Sequence, residues 1–147
     1  MKKILPPILF LVSVILMVLL WKLFPMSIWV LYPFNLLGLI PLFLGLGLTI
    51  IGSRKFDQVG TNIKTFNDPN VLVTEGLFKY SRNPMYLGLV LALVGVSVLL
   101  GAISSLLVAI AFFVITDRWY VRFEEQAMLR IFGDSYGSYK ARTRRWV

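Results

Sequence analysis

A stretch of 32 residues, from Met85 to Thr116, contains no charged side chain. As a single α-helix it would be about 48 Å long at 1.5 Å per residue, whereas the hydrocarbon core of a bilayer is about 30 Å thick. Two full spans would need about 40 residues, so the stretch is long for one span and short for two. The small residues from Gly101 to Ser105 are the best place for a break, and they predict a hairpin of two short or tilted helices.

Two more apolar runs precede this stretch, one from Ile4 to Leu23 and one from Phe34 to Gly52. The chain is 58% hydrophobic, above the roughly 45–50% of a typical soluble domain. The runs therefore indicate an all-α integral membrane protein. No small-residue cleavage site follows the first run, so we expect a retained span rather than a cleaved signal peptide.

Charge placement predicts how many times the chain crosses the membrane. All seven acidic residues and twelve of the fifteen basic ones lie at or after Arg54, and Lys2 and Lys3 precede the first run. Basic residues concentrate on the cytoplasmic side of membranes, so these groups should share that side. This requires four transmembrane helices, with both termini in the cytoplasm, in a multi-pass protein of the cytoplasmic (inner) membrane. A three-span chain would leave the basic tail outside.

We expect a single membrane domain over residues 1–147. Its predicted spans are about 4–23, 34–52, 85–100 and 103–118, with a cytoplasmic loop at 54–82 and a cytoplasmic tail at 119–147. An apolar stripe at helical spacing predicts a tail helix that ends near Gly133, followed by a second short helix from Tyr136 to Arg142. Trp146, beside basic residues, is typical of an interfacial anchor.

Four glycines in the second apolar run favour close contact with another helix, either inside the chain or in a dimer. They are Gly38, Gly45, Gly47 and Gly52.

Composition restricts the chemistry that the chain can carry out. It has no Cys and no His, which excludes disulfides, thiol nucleophiles, Cys or His metal sites and imidazole catalysis. We expect no metal. The net charge of +8 comes mostly from residues beside apolar runs, so membrane lipids are the expected partners and nucleic acid is not.

Polar residues stand at the start of the uncharged stretch, where Arg82 precedes Asn83 and Pro84. Asn is a favoured N-cap and Pro a favoured first helical residue, so helix capping by the Asn83 side chain is one interpretation. A helix start also offers N–H groups to an anion, which Arg82 would help to bind. Both interpretations stay open.

A second charged cluster follows the stretch and contains Glu124 and Glu125. One interpretation is a solvated helix face with local ion pairs, such as Glu125 with Arg122. The other is that a carboxylate binds a hydroxyl-bearing or cationic ligand. A folded-back hairpin would bring this cluster to the cluster at Arg82.

These segments resemble the isoprenylcysteine carboxyl methyltransferase and phospholipid methyltransferase superfamily, as a small prokaryotic-type member. The resemblance runs from about Gly60 to the end of the chain. The motifs that carry it are Leu72-Val73-Thr74-Glu75-Gly76-Leu77-Phe78, Arg82-Asn83-Pro84-Met85-Tyr86-Leu87-Gly88, and Glu124-Glu125 with Leu129, Phe132-Gly133, Tyr136 and Tyr139-Lys140.

The resemblance implies S-adenosylmethionine as cofactor, bound in a pocket that faces the cytoplasm. By position it implies cofactor contacts from Asn70, Val71, Leu72, Val73, Phe78, Asn83, Pro84, Met85, Tyr86 and Glu124. It implies positioning roles for Arg82, Tyr86 and Glu125. The family's substrate-side Arg falls by strict spacing on Tyr120, so Arg118 or Arg122 would take that role. Two departures are Asn83, where eukaryotic members have His, and Phe78, where Tyr is usual.

The leading functional hypothesis is therefore methyl transfer to a lipid-like or prenylated acceptor of the isoprenylcysteine carboxylate type. A carboxylate is already ionised and needs no base, which suits a chain without His. An amine would first have to lose a proton, and Glu125 and Tyr86 are poor bases for that step. The alternatives are a phospholipid amine N-methyltransferase, a nicotinamide-dependent membrane reductase and a non-enzymatic membrane lipid-binding protein.

Overall fold

The structure is a computed structural model, which describes residues 5–60 and 69–147. Its regular structure is helical, apart from one isolated antiparallel bridge between Ile28 and Ala102. The helices are α1 (Pro6–Leu23), α2 (Leu39–Val59), α3 (Pro84–Leu100), α4 (Ile103–Ile115) and α5 (Arg122–Arg142), with 3₁₀ turns at Phe34–Gly38 and Gly76–Lys79 and a π-helix at Thr116–Val121.

Within the described residues, three helical segments are long and apolar enough to cross a membrane. They are Pro6–Leu23, Phe34–Val59 and Ile103–Arg142, and the apolar helix α3 is shorter at 17 residues. This confirms an all-helical protein with several candidate spans. The predicted hairpin is also present, since Gly101 ends α3 with a φ of 64° and α4 begins two residues later.

Helices α2 and α3 run antiparallel and approach each other closely through glycines. A Cβ atom at Gly95 would lie 2.5 Å from the Leu42 nitrogen and 2.6 Å from the Gly38 oxygen. Farther along, Gly45 faces Gly88 in the same way. Three of the four glycines predicted for packing, Gly38, Gly45 and Gly52, therefore pack inside the chain against α3.

Helix α1 packs against α4 through an apolar core. Met17 and Leu93 are fully buried in this core, together with Phe112. Phe10 meets Phe112 edge to face, with ring centroids 6.4 Å apart. The Ser105 hydroxyl donates to the Met17 carbonyl at 3.4 Å, which joins the two helices near the hairpin turn.

The helix connections lie at two opposite ends of the molecule. At one end the Trp29 N–H donates to the Gly101 carbonyl at 2.8 Å and the Ile103 N–H donates to the Ser27 carbonyl at 3.0 Å. The α1–α2 connector and the hairpin turn therefore share this connector end. The other end carries the segment 69–83, the start of α5 and the C-terminal residues, and we call it the charged end.

Two predicted boundaries differ from the structure. Helix α2 does not stop at Gly52 but continues to Val59, so its last turns occupy the beginning of the loop predicted from residue 54. After α2 the structure describes Gly60 and then the part of that loop from Pro69 onward, and residues 61–68, Lys2 and Lys3 lie outside the described residues. Helical structure also continues past residue 118, since α4 ends at Ile115 and a π-helix at Thr116–Val121 leads directly into α5.

Helix α5 is kinked at Gly133, whose backbone has φ 49° and ψ −123°. A straight helix from Asp117 to Arg142 would be about 37 Å long and would carry the C-terminus away from the bundle. Instead Arg145 reaches back to Asp117, with 3.1 Å between nitrogen and oxygen. The glycine predicted to end the helix therefore turns the chain back onto itself.

Candidate active site

A cleft opens at the charged end between the start of α3 and the first half of α5. It encloses about 60 Å³ and is partly open to the outside. Its lining is mostly apolar, with two carboxylates and one guanidinium. The lining residues are Phe56, Leu72, Val73, Phe78, Arg82, Asn83, Pro84, Met85, Tyr86, Glu124, Glu125, Met128, Tyr136 and Tyr139.

Tyr86 connects the two walls of the cleft. Its hydroxyl donates to Glu124 Oε1 at 2.7 Å, which ties the first turn of α3 to α5. The Tyr86 ring stacks on Tyr120, with centroids 6.3 Å apart and planes 29° from parallel. Both rings are buried beside Val121, so a carboxylate and aromatic groups lie together at this wall.

Arg82 is bound to α5 rather than to solvent. Its Nη2 donates to Glu125 Oε1 at 2.7 Å, and its Nη1 donates to the carbonyls of Thr143 at 2.6 Å and Lys140 at 3.1 Å. The Arg82 side chain is only 9% exposed. These carbonyls belong to the end of α5, where helix carbonyls lack partners within the helix. Arg82 therefore neutralises Glu125 and caps α5 at once.

Arg145 binds the other side of Glu125. Its Nε and Nη2 donate to the two Glu125 oxygens at 3.1 and 2.6 Å, and its Nη1 donates to Asp117 at 3.1 Å. The hydrogen bonds to Glu125 raise the pKa of Arg145 above its usual value. Trp146 adds an Nε1–H bond of 2.9 Å to Asp117. The predicted pairing of Glu125 with Arg122 is wrong, because two distant arginines occupy that carboxylate.

The end of the chain also binds the segment that leads into α3. We call residues 139–147 the C-terminal clasp. The Tyr139 hydroxyl donates to the Phe78 carbonyl at 2.6 Å, and the Arg82 N–H donates to the Arg144 carbonyl at 3.0 Å. The Ser81 hydroxyl donates to the Arg145 carbonyl at 3.3 Å. The clasp thus fixes one wall of the cleft relative to the other.

Asn83 occupies the N-cap position of α3, but its side chain makes no capping hydrogen bond. Its Nδ2 donates instead to the Arg145 carbonyl at 3.0 Å, and its backbone N–H donates to the Ser81 hydroxyl at 3.1 Å. The capping interpretation is therefore wrong for the side chain, although Pro84 does begin the helix. The clasp offers a carbonyl within reach of Asn83, and the amide binds it.

Most of the residues predicted for the cofactor come together in the cleft. Leu72, Val73 and Phe78 line it from the segment before α3, opposite Glu124 on α5. Asn83, Pro84, Met85 and Tyr86 line it from the start of α3, and so do the positioning candidates Arg82 and Glu125. Asn70 and Val71 do not line the cleft and are exposed.

The two arginines predicted for substrate lie elsewhere. Arg118 and Arg122 are exposed and line a separate polar groove on the outer side of α5. Glu125 lines both this groove and the cleft. Its ion pairs with Arg82 and Arg145 therefore lie between the groove and the cleft.

Sequence reasoning missed several residues of the site. Tyr136 and Tyr139, which were named only as part of the resemblance, line the cleft, and Phe56 and Met128 add apolar surface. Arg145 is one of the basic residues beside Trp146 that indicated an interfacial anchor, and it binds two carboxylates within the protein. No local sequence pattern indicates that Arg145 forms ion pairs inside the protein, because these ion pairs depend on the kink at Gly133.

Comparison with known proteins agrees with this geometry. A family model described as phospholipid methyltransferase matches residues 34–135, more than half of the chain. The chain belongs to this family, and the resemblance noted in the sequence is confirmed. Together with the long apolar helices, membership indicates an integral membrane protein.

A curated relative gives a more distant match. Protein-S-isoprenylcysteine O-methyltransferase of Schizosaccharomyces pombe is 33% identical over 75 residues, which are 50% of this chain and 31% of that protein. The match therefore spans less than a third of the relative's length. No solved structure gives a significant match.

Proposed function

We propose that the chain transfers a methyl group from S-adenosylmethionine to a lipid-like or prenylated acceptor at the cytoplasmic face of the membrane. One observation carries the proposal. Every residue that lines the cleft, except Tyr136 and Tyr139, lies within the segment 34–135 that matches the phospholipid methyltransferase family. The acceptor type is proposed from the chemistry of the chain, as argued above for a carboxylate.

The proposal includes a topology of four spans in a single domain, with the charged end in the cytoplasm. Helix α3 would be a span in addition to the three longer helical segments, which makes four. It lies antiparallel to α2 along its length and is joined to α4 by a tight turn. The connector end would face the opposite side. Arg54, Lys55 and the basic residues after Arg118 are at the charged end, in agreement with the positive-inside rule.

The residues of the cleft suit the proposed cofactor in chemistry. Apolar and aromatic side chains such as Val73 and Phe78 suit a purine, and the Glu124 carboxylate suits hydroxyl groups. The Arg82 Nε is buried and has no hydrogen-bond partner among the described residues, which leaves a donor for an anionic group. Binding sites for molecules of this size usually enclose roughly 300–1,000 Å³. The enclosed 60 Å³ therefore accommodates one part of the cofactor, and the rest would extend through the open side of the cleft.

When bound, S-adenosylmethionine supplies an electrophilic methyl group. The protein's task is then to align an acceptor with that methyl group and to exclude water. Tyr86 and Glu124 would hold the cofactor between α3 and α5, while the ion pairs of Arg82 and Glu125 keep the two walls in register. The chain has no imidazole for proton transfer.

Calorimetric titration of the purified chain in detergent with S-adenosylmethionine tests cofactor binding. We expect binding by the native chain and a loss of about 10-fold or more in affinity for Glu124→Ala, because a charge-assisted hydrogen bond contributes about 1.5–3 kcal/mol. Glu75→Ala is the matched control, since its carboxylate forms an exposed ion pair with Lys55 away from the cleft. If no heat of binding is seen, or if both variants behave alike, the proposal is wrong.

Mass spectrometry of lipid extracts after incubation with methyl-labelled cofactor tests the acceptor. A labelled methyl ester supports a carboxylate acceptor, and a labelled amine supports the phospholipid amine alternative. Competition by a nicotinamide cofactor for the cleft would favour a reductase. Full function of Arg82→Ala and Glu124→Ala variants would favour a lipid-binding protein without activity.

A further inference from the structure

The polar groove on the outer side of α5 has the properties of a second binding site. It is an open surface groove of about 510 Å³ beside α5, and its lining is mostly polar, unlike that of the cleft. We call it the basic groove. It is lined by Asp117, Arg118, Arg122, Glu125, Gln126, Leu129, Lys140 and Arg145.

The carboxylates of the basic groove are already neutralised. Both oxygens of Glu125 accept hydrogen bonds from arginines, and Asp117 accepts from Arg145 and Trp146. Arg118 approaches Asp117 only at 3.7 Å, and its side chain is 82% exposed. The groove therefore presents an excess of positive charge.

Among the described residues, three cations of the groove, Arg118, Arg122 and Lys140, take no part in the ion pairs of Glu125. Arg118 and Arg122 are four residues apart and both line the groove, and like charges at this spacing on a helix repel each other. Lys140 approaches from the second half of α5, which the kink at Gly133 turns back. A bound phosphate would relieve this repulsion.

The location of the groove specifies the source of the phosphate. It begins directly after the exposed apolar residues Phe113, Val114 and Ile115 at the end of α4. Trp119 follows Arg118 in the chain and is 61% exposed, and an exposed Trp suits the level of lipid head groups. Basic residues at this level attract anionic lipids.

We propose that the basic groove binds the head group of an anionic phospholipid, with Arg118, Arg122 and Lys140 around its phosphate. The site is distinct from the cleft, and lipid binding there requires neither cofactor nor methyl transfer. Its failure and a failure of the proposed function are therefore distinguishable.

Native mass spectrometry of the full chain in detergent, titrated with phosphatidylglycerol or phosphatidylcholine, tests the proposal. We expect phosphatidylglycerol to bind at least about 10-fold more tightly, and Arg118→Ala/Arg122→Ala to weaken it about 10-fold or more. The matched control is Arg54→Ala/Lys79→Ala, which removes the same charge from exposed residues at the same end of the molecule. It should change the affinity by less than about 2-fold.

Three outcomes would overturn the proposal. Equal affinity for the two lipids would show that charge is not recognised. Equal losses in the two double variants would show general surface attraction instead of a groove. Displacement of phosphatidylglycerol by inorganic phosphate at equal concentration would identify a site for the free ion. Lys140→Ala provides a second variant of the groove, and its tryptophan fluorescence on heating reports whether the chain is folded.

Discussion

The α2–α3 interface and the charged end are both tightly packed, but different forces hold them. Between α2 and α3, glycines remove side chains so that backbones touch, and van der Waals contact stabilises the pair without any charge. At the charged end, Arg82, Glu125, Arg145 and Asp117 form a chain of ion pairs among partly buried groups. The α2–α3 interface depends on the absence of side chains at its glycines. The charged end depends on each charged group having a partner of opposite charge. The charged end should therefore be sensitive to the loss of a side chain, and the α2–α3 interface to the addition of one.

The largest effect is expected at the charged end. Glu125→Ala leaves Arg82, whose side chain is 9% exposed, without its carboxylate. Breaking a buried ion pair in this way costs about 3–5 kcal/mol of folding free energy. Thermal unfolding in detergent, followed by tryptophan fluorescence, measures it. Glu75→Ala removes an exposed pair and should cost less than about 1 kcal/mol, so equal midpoints would contradict the role of Glu125.

Tyr86→Phe tests the contact between the two walls of the cleft. It removes a 2.7 Å hydrogen bond to a carboxylate but keeps the ring that stacks on Tyr120. The loss should be about 1.5–3 kcal/mol, measured as a lower unfolding midpoint together with weaker cofactor binding. Tyr80→Phe, at a ring that is 75% exposed, is the control and should change neither quantity.

Gly45→Ala tests the opposite kind of packing. A Cβ atom there meets the backbone of Gly88 and Ala92, which has no side-chain freedom to move away. The helices must separate, at a cost of about 1–3 kcal/mol. A Cβ atom at Gly47 would have no contact within 4 Å. Gly47→Ala should therefore be neutral or stabilising, since Ala favours helix more than Gly does. Similar unfolding midpoints for the two variants would rule out close contact at Gly45.

The smallest effect is expected near the hairpin turn, where two neighbouring serines differ. The Ser104 hydroxyl is buried and has no partner among the described residues, whereas Ser105 donates to the Met17 carbonyl. Ser104→Ala should raise stability by up to about 1 kcal/mol, and Ser105→Ala should lower it by a similar amount. Shifts of the same sign in the unfolding midpoint would contradict this assignment.

The apolar patterns were sufficient to predict the helices and the hairpin. The break at Gly101 was predictable because a run of this length cannot form one span, and glycine tolerates the φ of 64° that ends α3. The end of α2 was not predictable, since Arg54 and Lys55 continue the helix beyond its apolar part. Helical structure extends as far as backbone geometry allows, whereas hydropathy reports only the part that suits lipid.

The candidate site was predicted in its position but not in its internal bonding. Motif resemblance brought Tyr86 and Glu124 to one site, and the structure joins them by a hydrogen bond. It did not indicate that Arg145 would bind Glu125, nor that Asn83 would bind the clasp. Those contacts join residues about 20 and 60 positions apart, and local patterns carry no information at that range.

The sequence by itself determined the membrane class, the helical hairpin, the family and most of the residues that line the cleft. These follow from hydropathy and motifs, which are properties of residues close together in the chain. Only the tertiary structure decided which charges are paired. The kink at Gly133 brings the C-terminal clasp back to Arg82 and Glu125, and leaves Arg118 and Arg122 on the outside. Ion pairing depends on distances across the fold, and these are set by the packing of helices that are remote in sequence.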